Sequence, residues 1–188
     1  MSSENRLPFT VQETNGGWET YSTYGKQASQ ILTTAIPNIA EYKRGGAGRA
    51  ITEDFDYSGS TVFLLFHQSD LVGFSSYSQM YVDPVKQSEL EYFSWSEEQW
   101  KENQKLTASS GWTAIHPDFQ HRGGWSKMMN AFDTSLVRSQ HLYQVRNVRK
   151  AGNYADKVKE RYHDNIVFQA DTFYIDPQIY FRIRIPRE

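Results

Sequence analysis

Residues 115–127 read Ile115, His116, Pro117, Asp118, Phe119, Gln120, His121, Arg122, Gly123, Gly124, Trp125, Ser126 and Lys127. A short apolar run stops at Pro117 and two glycines follow. An apolar period of three and four residues then begins at once with Met128, Met129, Phe132 and Leu136. Such a string passes from strand through a tight turn into a helix. The first amides of a helix lack intrahelical partners, and the dipole adds about half a positive charge there. Glycines let an anion approach the backbone, and Arg122 and Lys127 add fixed charge. This is the chemistry of a phosphate site. An ordinary strand-to-helix turn uses the same glycines, so the string alone leaves both readings open.

Other reactive groups are few. There is no cysteine, which excludes thiol catalysis, thiolate metal sites and disulfides. The five histidines, His67, His116, His121, His141 and His163, never pair at the i, i+4 spacing of a helical zinc site, so no metal is expected. Candidate bases are His116 at the end of its run and Asp83, Glu89 and Glu91 further upstream. Residues 43–49, with three glycines between basic residues, lack the Gly-Lys-Ser/Thr ending of a P-loop and read as a mobile substrate-side loop. Arg182, Arg184 and Arg187 read as the solvent face of a terminal strand.

The elements that must position these groups follow from periodicity. Residues 7–12 read as a first strand and 18–36 as an amphipathic helix ended by Pro37. Residues 39–42 read as a short second helix, after which Gly45, Gly46 and Gly48 break the chain. Residues 62–67 and 71–82 form a β-hairpin. A helix is expected over 96–106, a strand over 111–116 and a strong helix over 123–137. Strand 142–148, helix 154–162 and strands 166–170 and 174–185 complete the chain. Hairpins mixed with β-α-β steps predict a mixed α/β fold, a mostly antiparallel sheet with helices on both faces. Residues 85–110 exceed an ordinary connection and read as an insert, either a lid or acceptor platform or an extra helix at the sheet edge.

The 188 residues suit one domain with a core of its own. Aromatics make up 15%, a ring content that disordered chains lack. A net charge of −2 excludes a generic basic nucleic-acid binder. The longest apolar run, residues 62–66, is too short to span a membrane, and residues 1–6 hold no apolar signal core. A soluble cytoplasmic protein is expected.

The string at 115–129 resembles the acyl-coenzyme A signature of the GNAT superfamily of N-acetyltransferases. Ile115, Pro117, Phe119, Gln120 and Gly123 stand in the signature's places. The order of elements along the whole chain is similar to the family's. Asn153, Tyr154 and Ala155 opening a helix, with Ile166, Val167 and Phe168 after it, look like the family's second half.

The resemblance implies a GNAT-like fold with a V-shaped cleft, acetyl-CoA as the cofactor and transfer of its acetyl group to a primary amine. That amine would be a protein lysine, a protein N-terminus or a small amine. It places the pyrophosphate on His121, Arg122, Gly123, Gly124, Trp125, Ser126 and Lys127, with Gln120 and Asn153 as further cofactor contacts. The pantetheine arm would run along Trp112, Thr113, Ala114 and Ile115. Trp125 stands where the signature has a small residue, and its ring is expected to turn away from the phosphate. The family often carries a Tyr that protonates the departing thiolate. Alignment puts Lys159 near that place, with Tyr162 three residues on along nearly the same helix face, so the acid is Tyr162 or absent. Asp83 and His116 stand as candidate bases. The alternative is a non-catalytic member of the fold that binds a protein partner. The long last strand is expected to offer an edge for a homodimer.

Overall fold

The computed structural model describes residues 7–79, 96–173 and 177–187. Two compact units divide the chain: Met1–Tyr77 with Gly111–Thr134, and Ser78–Ser110 with Ser135–Glu188. Among the described residues the strands are β1 (Phe9–Asn15), β2 (Ser60–His67), β3 (Asp70–Gln79), β4 (Thr107–Ile115), β5 (Tyr143–Arg149), β6 (Ile166–Phe173) and β7 (Pro177–Arg184). Their order is β1-β2-β3-β4-β5-β7-β6. β1 and β2 pair antiparallel, as do β5 and β7 and β6 and β7, whereas β4 and β5 pair in parallel. The expected mixed, mostly antiparallel sheet is therefore present.

In the first unit, helices α1 (Trp18–Ala35), α2 (Ile39–Tyr42) and α3 (Gly46–Phe55) accompany β1 to β3. Ala28, Ile31 and Leu32 of α1 pack with Ala50, Ile51 and Phe55 of α3 against Val62, Leu64, Phe74 and Ala114. Alternate residues of β2 point to the opposite face. There Phe63 meets Phe132 of helix α5 (Gly124–Arg138), with ring centroids 5.3 Å apart, and Tyr77 closes the group 5.2 Å from Phe132. A strand covered on both faces has no polar alternation, which is why residues 62–66 are continuously apolar.

α3 corrects the reading of residues 43–49 as a loop. Gly45 and Gly46 turn the chain at φ 89° and 62°, and the helix starts there instead of ending. Ala47, Ala50, Ile51 and Phe55 then bury one face.

In the second unit, residues 80–95 lie outside the described residues. α4 (Glu97–Asn103) and a 3₁₀ turn (Gln104–Leu106) fill the expected 96–106 helix. β4 begins at Thr107, four residues before the expected 111, so the end of the 85–110 stretch belongs to the sheet. Helix α6 (Tyr154–Tyr162) packs Ala155, Val158 and Tyr162 on Val148, Ile179, Phe181 and Ile183. β7 pairs with β5 on one side and β6 on the other. The last strand is therefore an interior strand, and the edge expected for dimerisation is not there.

Phe132 is fully buried between Phe63 and Tyr77. Phe132→Ala should lower stability by about 3–5 kcal/mol, the usual cost of a buried ring left as a cavity, read as a lower urea midpoint with an unchanged m-value.

Candidate active site

β4 ends where the loop begins. The His116 amide donates to the Val72 carbonyl of β3 at 2.8 Å, which holds one edge of β4 in the sheet. Strand amides alternate from edge to edge, so those of Thr113 and Ile115 point to the other edge. The Gln120 side-chain amide donates to the Ile115 carbonyl at 2.9 Å and ties the loop back onto its strand. Ser75 and Thr113 share a hydroxyl hydrogen bond of 2.8 Å. His116 is the cap of a 3₁₀ turn (Pro117–Phe119), accepting from the Asp118 amide at Nδ1.

Beyond the turn, His121 and Gly123 adopt positive φ, 60° and 92°. His121, Arg122, Gly123, Ser126 and Lys127 are exposed. The first bond of α5 runs from the Lys127 amide to the Gly123 carbonyl, so the amides ahead of it have no acceptor within the helix. The first turn holds no acidic residue that would oppose an anion. Gly124 is buried, and a Cβ on it would sit 2.8 Å from Leu65 Cδ2. Trp125 is half-buried with its indole nitrogen out of water. Lys127 bonds its ammonium to the Phe9 carbonyl. The backbone of residues 121–126 thus has the shape and polarity for a pyrophosphate.

No family model matches the chain, and no curated protein matches it. Solved structures do match. A GNAT-family protein from Desulfovibrio desulfuricans aligns with a TM-score of 0.64 and 10% identity, over 95% of this chain and 100% of the other. YncA of Salmonella typhimurium, solved with its cofactor acetyl-CoA, aligns at 0.65 and 9% identity, over 96% and 95%. The ribosomal-protein-S18-alanine N-acetyltransferase of Escherichia coli aligns at 0.58 and 13% identity, over 96% of each chain.

The chain has the GNAT fold.

Within this GNAT fold, one group of the site was invisible in the sequence. Asp54, near the end of α3, accepts from the Ser76 hydroxyl at 2.6 Å and from the Trp112 amide at 2.7 Å, both at Oδ2. The Trp112 amide is therefore engaged, while those of Thr113 and Ile115 face the opposite edge. Burial pushes the Asp54 carboxyl above the ordinary carboxylate range, and the charge of Glu53 adds to this. The Ser76 and Trp112 donors and the charge of Lys43 pull the other way. The loop expected at 43–49 hid the helix that carries Asp54, so no pattern aims this residue at β4.

Two of the remaining expected residues, Asn153 and Tyr162, belong to the second unit. Asp83 lies outside the described residues. Asn153 is exposed at the N-cap of α6. Tyr162 is only 1% exposed. The Arg146 and Arg161 guanidinium carbons lie 5.8 Å and 5.4 Å from its ring centre. Arg146, itself 3% exposed, donates to the Gln144 side chain at 2.6 Å and to the Tyr154 hydroxyl at 3.1 Å. That buried guanidinium on β5 also escaped the sequence reading, which took residues 142–148 only as a strand.

A carboxyl whose folded pKa is raised binds its proton more tightly in the folded state. Its contribution to stability is greatest below the ordinary carboxyl pKa of 3.8. It falls as pH rises through the folded value. Asp54→Asn should remove that decline. Urea unfolding of parent and variant in parallel, from about pH 4 upward, should show the parent losing ground relative to the variant.

Proposed function

We propose that the protein is an acetyl-CoA-dependent N-acetyltransferase that acts on a primary amine. The observation that carries this reading is the 121–126 backbone. Two left-handed residues feed a helix start that is free of acids, on the segment that resembles the acyl-CoA signature. These amides, with the side chain of Arg122, would hold the pyrophosphate. The amides of Thr113 and Ile115 would pair with the pantetheine arm, because Trp112 gives its amide to Asp54. Lys127 and Gln120 brace the loop through Phe9 and Ile115.

When bound, acetyl-CoA supplies an acetyl group activated as a thioester. The chain must orient that group, present a donor to the carbonyl oxygen and handle the proton of the amine. A protein N-terminus or lysine is the proposed acceptor class. The Escherichia coli fold neighbour, which acts on an alanine of a ribosomal protein, supports an amine on a protein. For the thiolate, a free thiol pKa of about 8.5 means that water can supply the proton near neutral pH. The burial of Tyr162 favours that route, so Tyr162→Phe should keep kcat within a few-fold. A large loss of kcat with intact acetyl-CoA affinity would make the Tyr162 hydroxyl the donor.

Calorimetry with acetyl-CoA tests the site directly. Gly123→Asp adds bulk and a negative charge at a left-handed position facing the anion, so affinity should fall at least tenfold, or about 1.4 kcal/mol. In the parent, saturation at 100 times Kd should stabilise the fold by about 2.7 kcal/mol, seen as a higher Tm. A parent whose Tm ignores acetyl-CoA would instead be the protein-binding member of the fold.

A further inference from the structure

An acceptor ammonium cannot attack, because its lone pair carries a proton. The α-amino and lysine groups have ordinary pKa values of about 8 and 10.4, so a base must take that proton near neutral pH. His116 spends Nδ1 capping its own turn. Asp118, Asp164 and Asp171 are mostly exposed, at 82%, 92% and 73% of their side chains. Asp54 differs from these in three ways. Its carboxylate is held against β4 by two donors, Ser76 and Trp112, and both bond the same oxygen, Oδ2. Among the described residues Oδ1 accepts no hydrogen bond. No cation bonds it directly among the described residues: Lys43 and Arg49 both pair with Glu53, and Lys43 acts on Asp54 only through its charge.

The seat itself is built for a carboxylate. A Cβ on Gly111 would lie 2.4 Å from Asp54 Oδ2 and 2.3 Å from Ser76 Oγ, so only glycine at 111 lets the acid reach the strand. Residue 112 anchors the acid on one edge of β4, and the amide of Thr113, assigned above to the pantetheine arm, faces the other edge one residue on. Asp54 as a residue is half-buried.

We propose that Asp54 is the general base: Oδ1 takes one proton from the acceptor ammonium, giving a neutral amine and a protonated carboxyl. The assignment rests on the transferase reading above. The neutral amine then forms the C–N bond as the C–S bond breaks. The second nitrogen proton leaves with the thiolate's departure, so one proton ends on the thiol and one on Asp54, which returns it to water. The groups that set the titration of Asp54 are Ser76 and Trp112 as donors, with Glu53 and Lys43 as neighbouring charges.

The test uses the full chain with two probe peptides, one with a free N-terminus and one with a blocked N-terminus and a single lysine. Asp54→Asn should bind acetyl-CoA by calorimetry as the parent does. Its kcat/KM at pH 7 should fall by about 10²–10⁴-fold. The loss should shrink about tenfold per pH unit, up to about pH 8 for the N-terminal peptide and about 10.4 for the lysine peptide. A merely structural role would not produce that recovery. Asp54→Asn with the parent's rate and pH profile overturns the assignment and leaves the transferase reading standing. If Asp54→Asn fails to fold, Ser76→Ala keeps the carboxylate and removes one donor. The ¹³C shift of the Asp54 carboxyl should then titrate at higher pH, and the acidic limb of kcat/KM should move by the same amount. A carboxyl midpoint that moves while the limb stays overturns the assignment. A parent that binds no acetyl-CoA, or acetylates neither peptide, removes the transferase reading and the base together.

Discussion

The start of α5 rests directly on the sheet. With Gly124 in place the helix backbone approaches Leu65 of β2 and Phe9 of β1, and a Cβ there would lie 2.8 Å from Leu65 Cδ2 and 3.3 Å from the Phe9 ring. That contact fixes how far the helix start stands from the end of β4. The intervening residues must then close the gap in a few steps, which is why His121 and Gly123 both take left-handed φ. Gln120 and Lys127 spend their polar ends on the carbonyls of Ile115 and Phe9. Both side chains thus brace the loop, and what they hold in place is the row of amides without acceptors inside the helix.

Such a site does not need a basic protein. The chain carries a net charge of −2. Long-range attraction is correspondingly weak, and selectivity for an anion has to come from fixed dipoles at close range. The acid-free first turn of α5 fits this. The acids of α3 are managed separately: Glu53 is paired with Lys43 and Arg49 at the surface, and Asp54 is turned inward onto Ser76 and Trp112.

Much of this was legible in the residues. The β2–β3 hairpin, the strand-to-helix string and the amphipathic period of α5 lie in contiguous sequence, where local rules act. What escaped was decided by partners far along the chain. α3 was hidden because its first turn is glycine-rich, although Ala47, Ala50, Ile51 and Phe55 keep a helical spacing. β7 carries the alternation of a half-buried strand, which does not reveal that it pairs with β5 as well as with β6. Tyr162 sits in the expected helix, but its burial depends on β5 and β7, which supply Val148, Phe181 and Ile183. Asp54 and Trp112 are 58 residues apart and meet only because Gly111 has no side chain. Nothing local in the sequence marks such a pair.

A buried carboxylate with two neutral donors and no cation bonded to it is an expensive arrangement for a fold that only needs to close a core. An Asn at 54 would satisfy the same donors without a charge. The environment instead sets opposing effects on one group. Burial and Glu53 raise its pKa, while Ser76, Trp112 and Lys43 lower it, and the rise prevails. A carboxylate moved in that direction is a stronger base than one in water, yet two hydrogen bonds on Oδ2 keep it from swinging away. Groups whose environment works against their charge collect where proton transfer is required. Stability does not call for an aspartate at this point of α3, and the proposed proton transfer from an amine does.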